Sequence, residues 1–203
     1  MSKAPLLTSL FIVSILSACI MQPTDSGSGS WQDYSARTSQ LNNWEVSGKL
    51  GFRSAEKGGS VSLNWTQRQD NYQLQLSGPF GAGSVNISGN SQIAEMLYDN
   101  TVYRQPPQQL AAQLTGVPLP VDALSWWARG LPSPTQPAAS DLGSSPEGLT
   151  LGFKQGGWQL AFSQYRQTDA GSLPGKIVGT HQAQGDRRYS FKLVISGWSF
   201  NQE

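Results

Sequence analysis

The chain has 203 residues, 14 Lys and Arg against 13 Asp and Glu, and a net charge of +1. Only 13% of its residues are charged, about half the usual share of roughly 25%, and with no basic block a nucleic-acid surface is disfavoured. The length suits one large domain or two small ones, and the seven Trp point either to an aromatic-lined binding surface or to the filling of an all-β core.

Met1 to Ala18 reads as a secretion signal. Lys3 precedes an apolar run from Leu6 to Leu16 that is too short to span a bilayer comfortably. The single cysteine, Cys19, follows Leu16-Ser17-Ala18. That pattern resembles the bacterial lipobox, in which the Cys is diacylated through its thioether before cleavage. A plain signal followed by a buried Cys is the alternative, and a sole Cys directly after small residues counts against it. Residue 20 is Ile, whereas an Asp there is the usual inner-membrane retention signal of Gram-negative lipoproteins. The expected destination is therefore the outer membrane, facing the periplasm. Ile20 to Ser30 is a polar tether with nothing to bury, spanning about 18 Å as a flexible coil.

Trp31 to Asn43 is expected to form one short helix, with Trp31, Tyr34, Thr38 and Leu41 on one side. The period then changes to two. Trp44, Val46, Gly48, Leu50 and Phe52 form one side of a long half-buried strand, and Glu56-Lys57-Gly58-Gly59 reads as its hairpin turn. Val61, Leu63 and Trp65, then Tyr72, Leu74 and Leu76, then Val85 and Ile87 continue a meander with one apolar face. Between the last two strands lies Gly78-Pro79-Phe80-Gly81-Ala82-Gly83. It puts a large apolar side chain, Phe80, where turn residues are normally small or polar. A weaker pair, 92–97 and 101–104, turns about Asp99-Asn100.

Pro107 opens a short helix to Leu114, ended by Gly116. Asp122 is placed to cap a second helix through Ala123 to Arg129, ended by Gly130 and Pro132. Trp126 and Trp127 lie about 100° apart on it, so both cannot face one core equally. Ser133 to Glu147 lacks periodicity and reads as a loop. Leu149, Leu151 and Phe153 alternate, Gln155-Gly156-Gly157 turns, and Trp158, Leu160 and Phe162 alternate back. Tyr165-Arg166 leads through a polar loop to a strand from Lys176 to Thr180, Asp186-Arg187 makes the last turn, and Tyr189, Phe191, Leu193 and Ile195 alternate to Gly197. Trp198 and Phe200 are one residue out of phase with that set, which predicts a bulge or bend near Gly197. No repeat or second composition regime appears, so 31–203 is expected to be one domain.

The fold class expected is mainly β. About nine to eleven strands with one apolar face must curl over something, and only three short helices serve as filler. Inward positions rich in Trp, Tyr, Phe and Leu suit an acyl chain better than a polar metabolite, although a fully packed barrel produces the same pattern. Catalytic signals are missing. His181 is the sole histidine, so the usual zinc sites are out, and no Gly-x-Ser-x-Gly elbow occurs. The glycine-rich 78–83 segment precedes a strand, not a helix, so it is no phosphate cradle. A Ser-His-Asp site at His181 is conceivable only through tertiary geometry, and His181 is expected to be solvent-exposed. No catalytic residue, metal or cofactor is expected.

Taken in order, several pieces resemble the LolB family of outer-membrane lipoprotein receptors. They are Leu-Ser-Ala-Cys at 16–19, the Trp31 helix, Trp44-Glu-Val-Ser-Gly-Lys-Leu, the strand ending in Trp65, and Gly78-Pro79-Phe80-Gly81. The series continues through 114–120, Leu124-Ser-Trp-Trp-Ala-Arg-Gly130-Leu-Pro132, Gly157-Trp158 and Lys192-Leu-Val-Ile-Ser-Gly-Trp198. The resemblance implies an unclosed antiparallel barrel with short helices covering a hydrophobic cavity for lipoprotein acyl chains. It implies cargo received from a soluble periplasmic carrier and inserted into the inner leaflet of the outer membrane. It also implies acyl-cavity positions at Trp31, Trp65, Trp127, Trp158 and Trp198, beside which the strand alternation puts Leu74, Leu76 and Phe162, and it agrees with lipidation at Cys19 and with a membrane-insertion loop at Gly78, Pro79, Phe80 and Gly81. In that loop Phe80 replaces the family's protruding Leu, and Trp126 has no family role. A monomer is the expected working form, with the helix of Trp127 shifting on acyl-chain uptake. Two other readings stand beside this one: a structural lipoprotein binding an assembly partner, and a surface esterase using His181.

Overall fold

A computed structural model describes residues 29–78, 83–183, 185 and 187–200. The secretion signal, Cys19, most of the tether, Pro79, Phe80 and Gly81, and Asp186 of the last turn lie outside the described residues. Chain order runs α1 (Trp31–Ser39), β1 (Asn43–Arg53), β2 (Gly58–Arg68), β3 (Asn71–Gly78), β4 (Gly83–Gly89), β5 (Ala94–Tyr98) and β6 (Thr101–Gln105). Then come α2 (Pro107–Thr115), α3 (Val121–Ala128), β7 (Ser140–Ser144), β8 (Thr150–Gln155), β9 (Trp158–Ser163), β10 (Arg166–Thr168), β11 (Gly171–Leu173), β12 (Lys176–Gln182) and β13 (Arg188–Ser199).

Strict alternation drives the long strands. Along β2 the residues Val61, Leu63, Trp65 and Gln67 are buried and their neighbours are not; Trp158, Leu160 and Phe162 repeat the pattern on β9. Local turn chemistry sets the register. Asp99 and Asn100 both take positive φ, at 48° and 56°, and close a two-residue hairpin between Tyr98 and Thr101. The result is an 11-stranded antiparallel sheet in the order β6-β5-β4-β3-β2-β1-β13-β12-β9-β8-β7. Its edge strands β6 and β7 do not pair with each other, so the barrel is unclosed, and β10 and β11 form a separate small hairpin. All three helices are short.

The bulge expected near Gly197 is present. Ser47 pairs with Gly197 and Gly48 with Ile195, so Ser196 is the extra residue, and it shifts Trp198 out of the phase of Ile195. Gly179 lies under the Phe191 ring, where any Cβ would collide with it.

Several sequence expectations are corrected. The first helix ends at Ser39, not Asn43. The first hairpin turn is Ser54–Lys57, because Gly58 and Gly59 already pair with Arg53 and Phe52; the Ser54 hydroxyl accepts from the Glu56 and Lys57 N–H groups and sets the turn early. Asp122 does not cap α3, whose N-cap is Pro120; its carboxylate accepts instead from the Thr135 hydroxyl and the Gln136 amide. The 133–147 stretch contains β7, an edge strand paired on one side only, where alternation is not enforced. Leu151 was expected to point inward with Phe153 and is 52% exposed. Ser144 pairs with Thr150 and Gly143 with Gly152, so Leu151 is a bulged residue and Thr150 takes the buried place.

Candidate acyl-chain site

Between the inner face of β1–β4 and β13 and the helices α2 and α3 lies a cavity of about 70 Å³, room for about two waters. The sheet contributes Leu63, Trp65, Leu74, Leu76 and Ile87 among others, and the helical side contributes Leu110, Ala111, Leu114 and Leu124. Among the described residues, no charged side chain lines it. Its polar groups are few: Thr115 gives its hydroxyl to the Ala111 carbonyl, and Tyr72 has its phenol pushed up to about 12 by burial. A chain of roughly a dozen methylenes, as in a myristoyl group, needs several times this volume, so the cavity must widen to take one.

The two sides of the helical cover are held differently. The C-terminal end of α3 is locked by polar bonds. Trp127 is fully buried, lies parallel to Phe191, and donates its Nε1–H to Gln155 Oε1 at 2.9 Å. Gln155, itself buried, also accepts from the Ser133 N–H and donates to the Ser133 and Pro137 carbonyls. Arg129 ties α1 to α3: its guanidinium donates to the carbonyls of Thr38 and Ser39 in the last turn of α1, of Leu41 just beyond it, and of Ser125. Trp126 covers it, with the guanidinium carbon 4.5 Å from the ring centre. Burial pushes Arg129 down to about 10, which leaves it cationic at neutral pH. By contrast α2 meets the sheet through Leu110 and Leu114 and is bonded to other elements at its exposed rim. There Lys57 Nζ donates to the Gln113 carbonyl, Gln105 to the Gln113 side chain, and Gln108 to the Pro118 carbonyl.

The sequence-chosen positions therefore separate. Trp65, Leu74 and Leu76 line the cavity. Trp127 and Trp158 pack together against Phe191, which itself reaches the cavity wall. Phe162 packs on Phe153. Trp31 donates to Thr150 Oγ1, and Trp198 donates to the Pro174 carbonyl while packing against Trp44 and Phe200. Trp127, Trp158, Phe162, Trp31 and Trp198 are not among the residues that line this cavity. Gly78 ends β3 opposite Gly83; the rest of that loop is not described. The α2 residues Leu110 and Leu114 were missed as site residues. Their i, i+4 spacing on a Pro-opened helix was the available signal. His181 is half-buried rather than exposed; its ring packs on Trp158 and Tyr189, and Nδ1 is 2.8 Å from the Gly157 carbonyl.

Two stability predictions follow from these bonds. Gln155→Leu leaves the Trp127 and Ser133 N–H groups and the Pro137 carbonyl without the partner that Gln155 supplies. At about 1–3 kcal/mol per buried orphan, urea unfolding is expected to show a loss of at least about 3 kcal/mol, and an unmoved midpoint would refute the clamp. The second concerns alkali. Burial holds the Tyr165 and Tyr72 phenols up to about 12 and Tyr34 higher still, where Tyr165 beside it adds to the effect. Phenols in the unfolded chain ionise near about 10, so above that pH the folded state binds more protons than the unfolded one. Stability is then complete below pH about 10 and falls as pH rises toward 12, with Arg129 opposing as one group against three. Urea midpoints across that range check it.

Comparison with known proteins places this geometry. The family model described as Outer membrane lipoprotein LolB matches residues 42–198. The chain is 33% identical over 198 residues to the outer-membrane lipoprotein LolB of Cellvibrio japonicus, covering 95% of each chain. It is 32% identical over 203 residues to that of Alkalilimnicola ehrlichii, covering 98% of each. Among solved structures, a LolA superfamily protein from Nitrosomonas europaea has the same fold, with a TM-score of 0.54 over 86% of this chain and 94% of its own at 7% identity. With an unclosed antiparallel sheet, a helix-covered apolar cavity and a family match over most of its length, the chain belongs to the LolB family of outer-membrane lipoproteins.

Proposed function

We propose that this chain is anchored through acylated Cys19, with 20–30 as tether, and acts as a receptor for lipoproteins delivered by a soluble periplasmic carrier. It holds their acyl chains between the sheet and α2, and releases them into the inner leaflet of the outer membrane. The observation that carries this reading is the apolar cavity whose cover is held by buried hydrogen bonds at the Trp127 end and, at α2, by apolar packing with hydrogen bonds only along its exposed rim. Chains enter by displacing α2 and the 106–120 segment, where Pro106, Pro118 and Pro120 interrupt helical continuity. The Trp127 end of α3 stays in place as the hinge side. This modifies the expectation that the helix of Trp127 itself shifts.

The chemistry is binding and release, with cargo moving down an affinity gradient from carrier to receptor to bilayer. An esterase reading has little support, because His181 Nδ1 is bonded to a backbone carbonyl and its ring lies among aromatics. The deciding experiment mixes the mature chain carrying Cys19→Ala with lipoprotein-loaded carrier and follows cargo by co-purification. Transfer is expected, and no transfer at any receptor concentration overturns the reading.

A further inference from the structure

The outer face of one half of the sheet is basic. The alternation that buries Phe52, Ile177, Phe191 and Leu193 turns Lys49, Arg53, Lys176, Arg188 and Lys192 to the opposite side. Register gathers them: Arg53 pairs with Ser190 and Ser190 with Thr180, while Lys49 pairs with Val194 and Val194 with Lys176. Lys192 lies between those two rows. Alternate residues along a strand are about 7 Å apart, so the stripe runs about 20 Å along β13. Two hollows follow it. One of about 860 Å³ has Arg53, Lys154 and Arg188 in its wall, and one of about 780 Å³ has Lys49, Arg53 and Lys192. Among the described residues, no acidic side chain lines either.

In a chain with a net charge of only +1, this is segregation of charge rather than its average. Among the described residues, ion pairs join Arg68 to Glu45, Arg104 to Glu95 and Lys154 to Asp141. Among the described residues, Lys49, Arg53, Lys176, Arg188 and Lys192 belong to none of these pairs. The neighbouring outer face of β2, β3 and β4 carries amides and hydroxyls instead, such as Asn64, Gln73, Gln75 and Asn86. A field of one sign on one face favours a partner of the opposite sign.

We propose that this basic face docks on anionic phospholipid head groups and leans the sheet against the leaflet. The proposal rests on the chain's place at the outer membrane, not on its cargo. Position supports a bilayer as occupant. The backbone of Gly78, where β3 ends, lies against Ser60 and Val61, and Ser60 pairs with Gly51, two residues before Arg53. Arg53 and Arg188 thus stand at the sheet end that leads into the loop of Phe80. Arg offers bidentate contact to phosphate oxygens, and each basic residue near a negative leaflet strengthens partitioning about fivefold.

The test is flotation of the mature chain carrying Cys19→Ala, which removes the acylated sulfur and alters no described residue. Vesicles of phosphatidylethanolamine alone are compared with vesicles that also contain phosphatidylglycerol. Binding is expected only to the anionic vesicles and is expected to weaken with salt. Combining Lys49→Gln, Arg53→Gln, Arg188→Gln and Lys192→Gln is expected to lower it at least about a hundredfold, with the near-ultraviolet spectrum of the folded chain unchanged. Equal binding to both vesicle types, or undiminished binding by the quadruple variant, overturns the proposal. So does loss of cargo transfer by that variant in the absence of vesicles, which assigns the face to the carrier. A chain that never takes cargo yet floats with anionic vesicles removes the receptor reading and leaves this one standing.

Discussion

A chain carrying Phe80→Glu is expected to accept lipoprotein from its carrier normally and then keep it, with deposition into vesicles falling about a hundredfold. The size follows from the approximately 2.5–3.5 kcal/mol needed to bring an acidic side chain into the apolar part of a membrane, where Phe is favoured. The loop joins β3 and β4 beyond the paired Gly78 and Gly83, and under the proposed division of roles acceptance and deposition separate in this variant. Carrier-to-receptor transfer and receptor-to-vesicle transfer are measured in separate steps. Normal deposition would assign Phe80 a role outside the membrane. Loss of acceptance as well would make the residue part of the cavity's own packing. Phe80→Leu, which restores the family's aliphatic side chain, should deposit cargo as the parent does.

Leu110→Ala is expected to act in opposite directions on stability and on holding. Leu110 is 2% exposed and projects from α2 into the cavity wall. Truncation of a buried Leu costs about 2–5 kcal/mol, so the empty chain unfolds at lower urea. The same truncation enlarges the cavity and removes part of what holds α2 down, so cargo should be held more tightly and deposited more slowly. If α2 is instead a fixed wall, stability falls and retention does not rise. That outcome, read from the dwell time of labelled lipoprotein on the receptor, would move the displaced element elsewhere.

Where side chains answered to a period, the sequence was readable. Val61, Leu63 and Trp65 are on the same buried face because a strand allows nothing else, and the slip from Ile195 to Trp198 located the Ser196 bulge. Where tertiary contacts decide, it was not. Nothing local marks 140–144 as a strand, because its pairing is imposed by β8 from one side. Leu151 points outward only because β7 shifts register beneath it. The Trp residues carried the site argument too far. Each suits an acyl chain by chemistry, but an indole also needs a bond for its N–H. Trp127 finds Gln155, Trp31 finds Thr150 and Trp198 finds Pro174, and those partners fix where the rings lie. Leucines have no such claim on them, and Leu110 and Leu114 of α2 line the side of the cavity that is proposed to move.

A cavity of about 70 Å³, too small for an acyl chain until α2 is displaced as proposed, also bears on direction. Apparent affinity scales with the fraction of molecules whose lid is open. If the small cavity is the resting form, a lipoprotein already in the leaflet meets a shut receptor, and recapture waits on its opening. A carrier that presses its cargo against the lid does not wait in the same way. Traffic in one direction can then arise without any nucleotide, because the resting receptor has no vacancy to offer the membrane it serves.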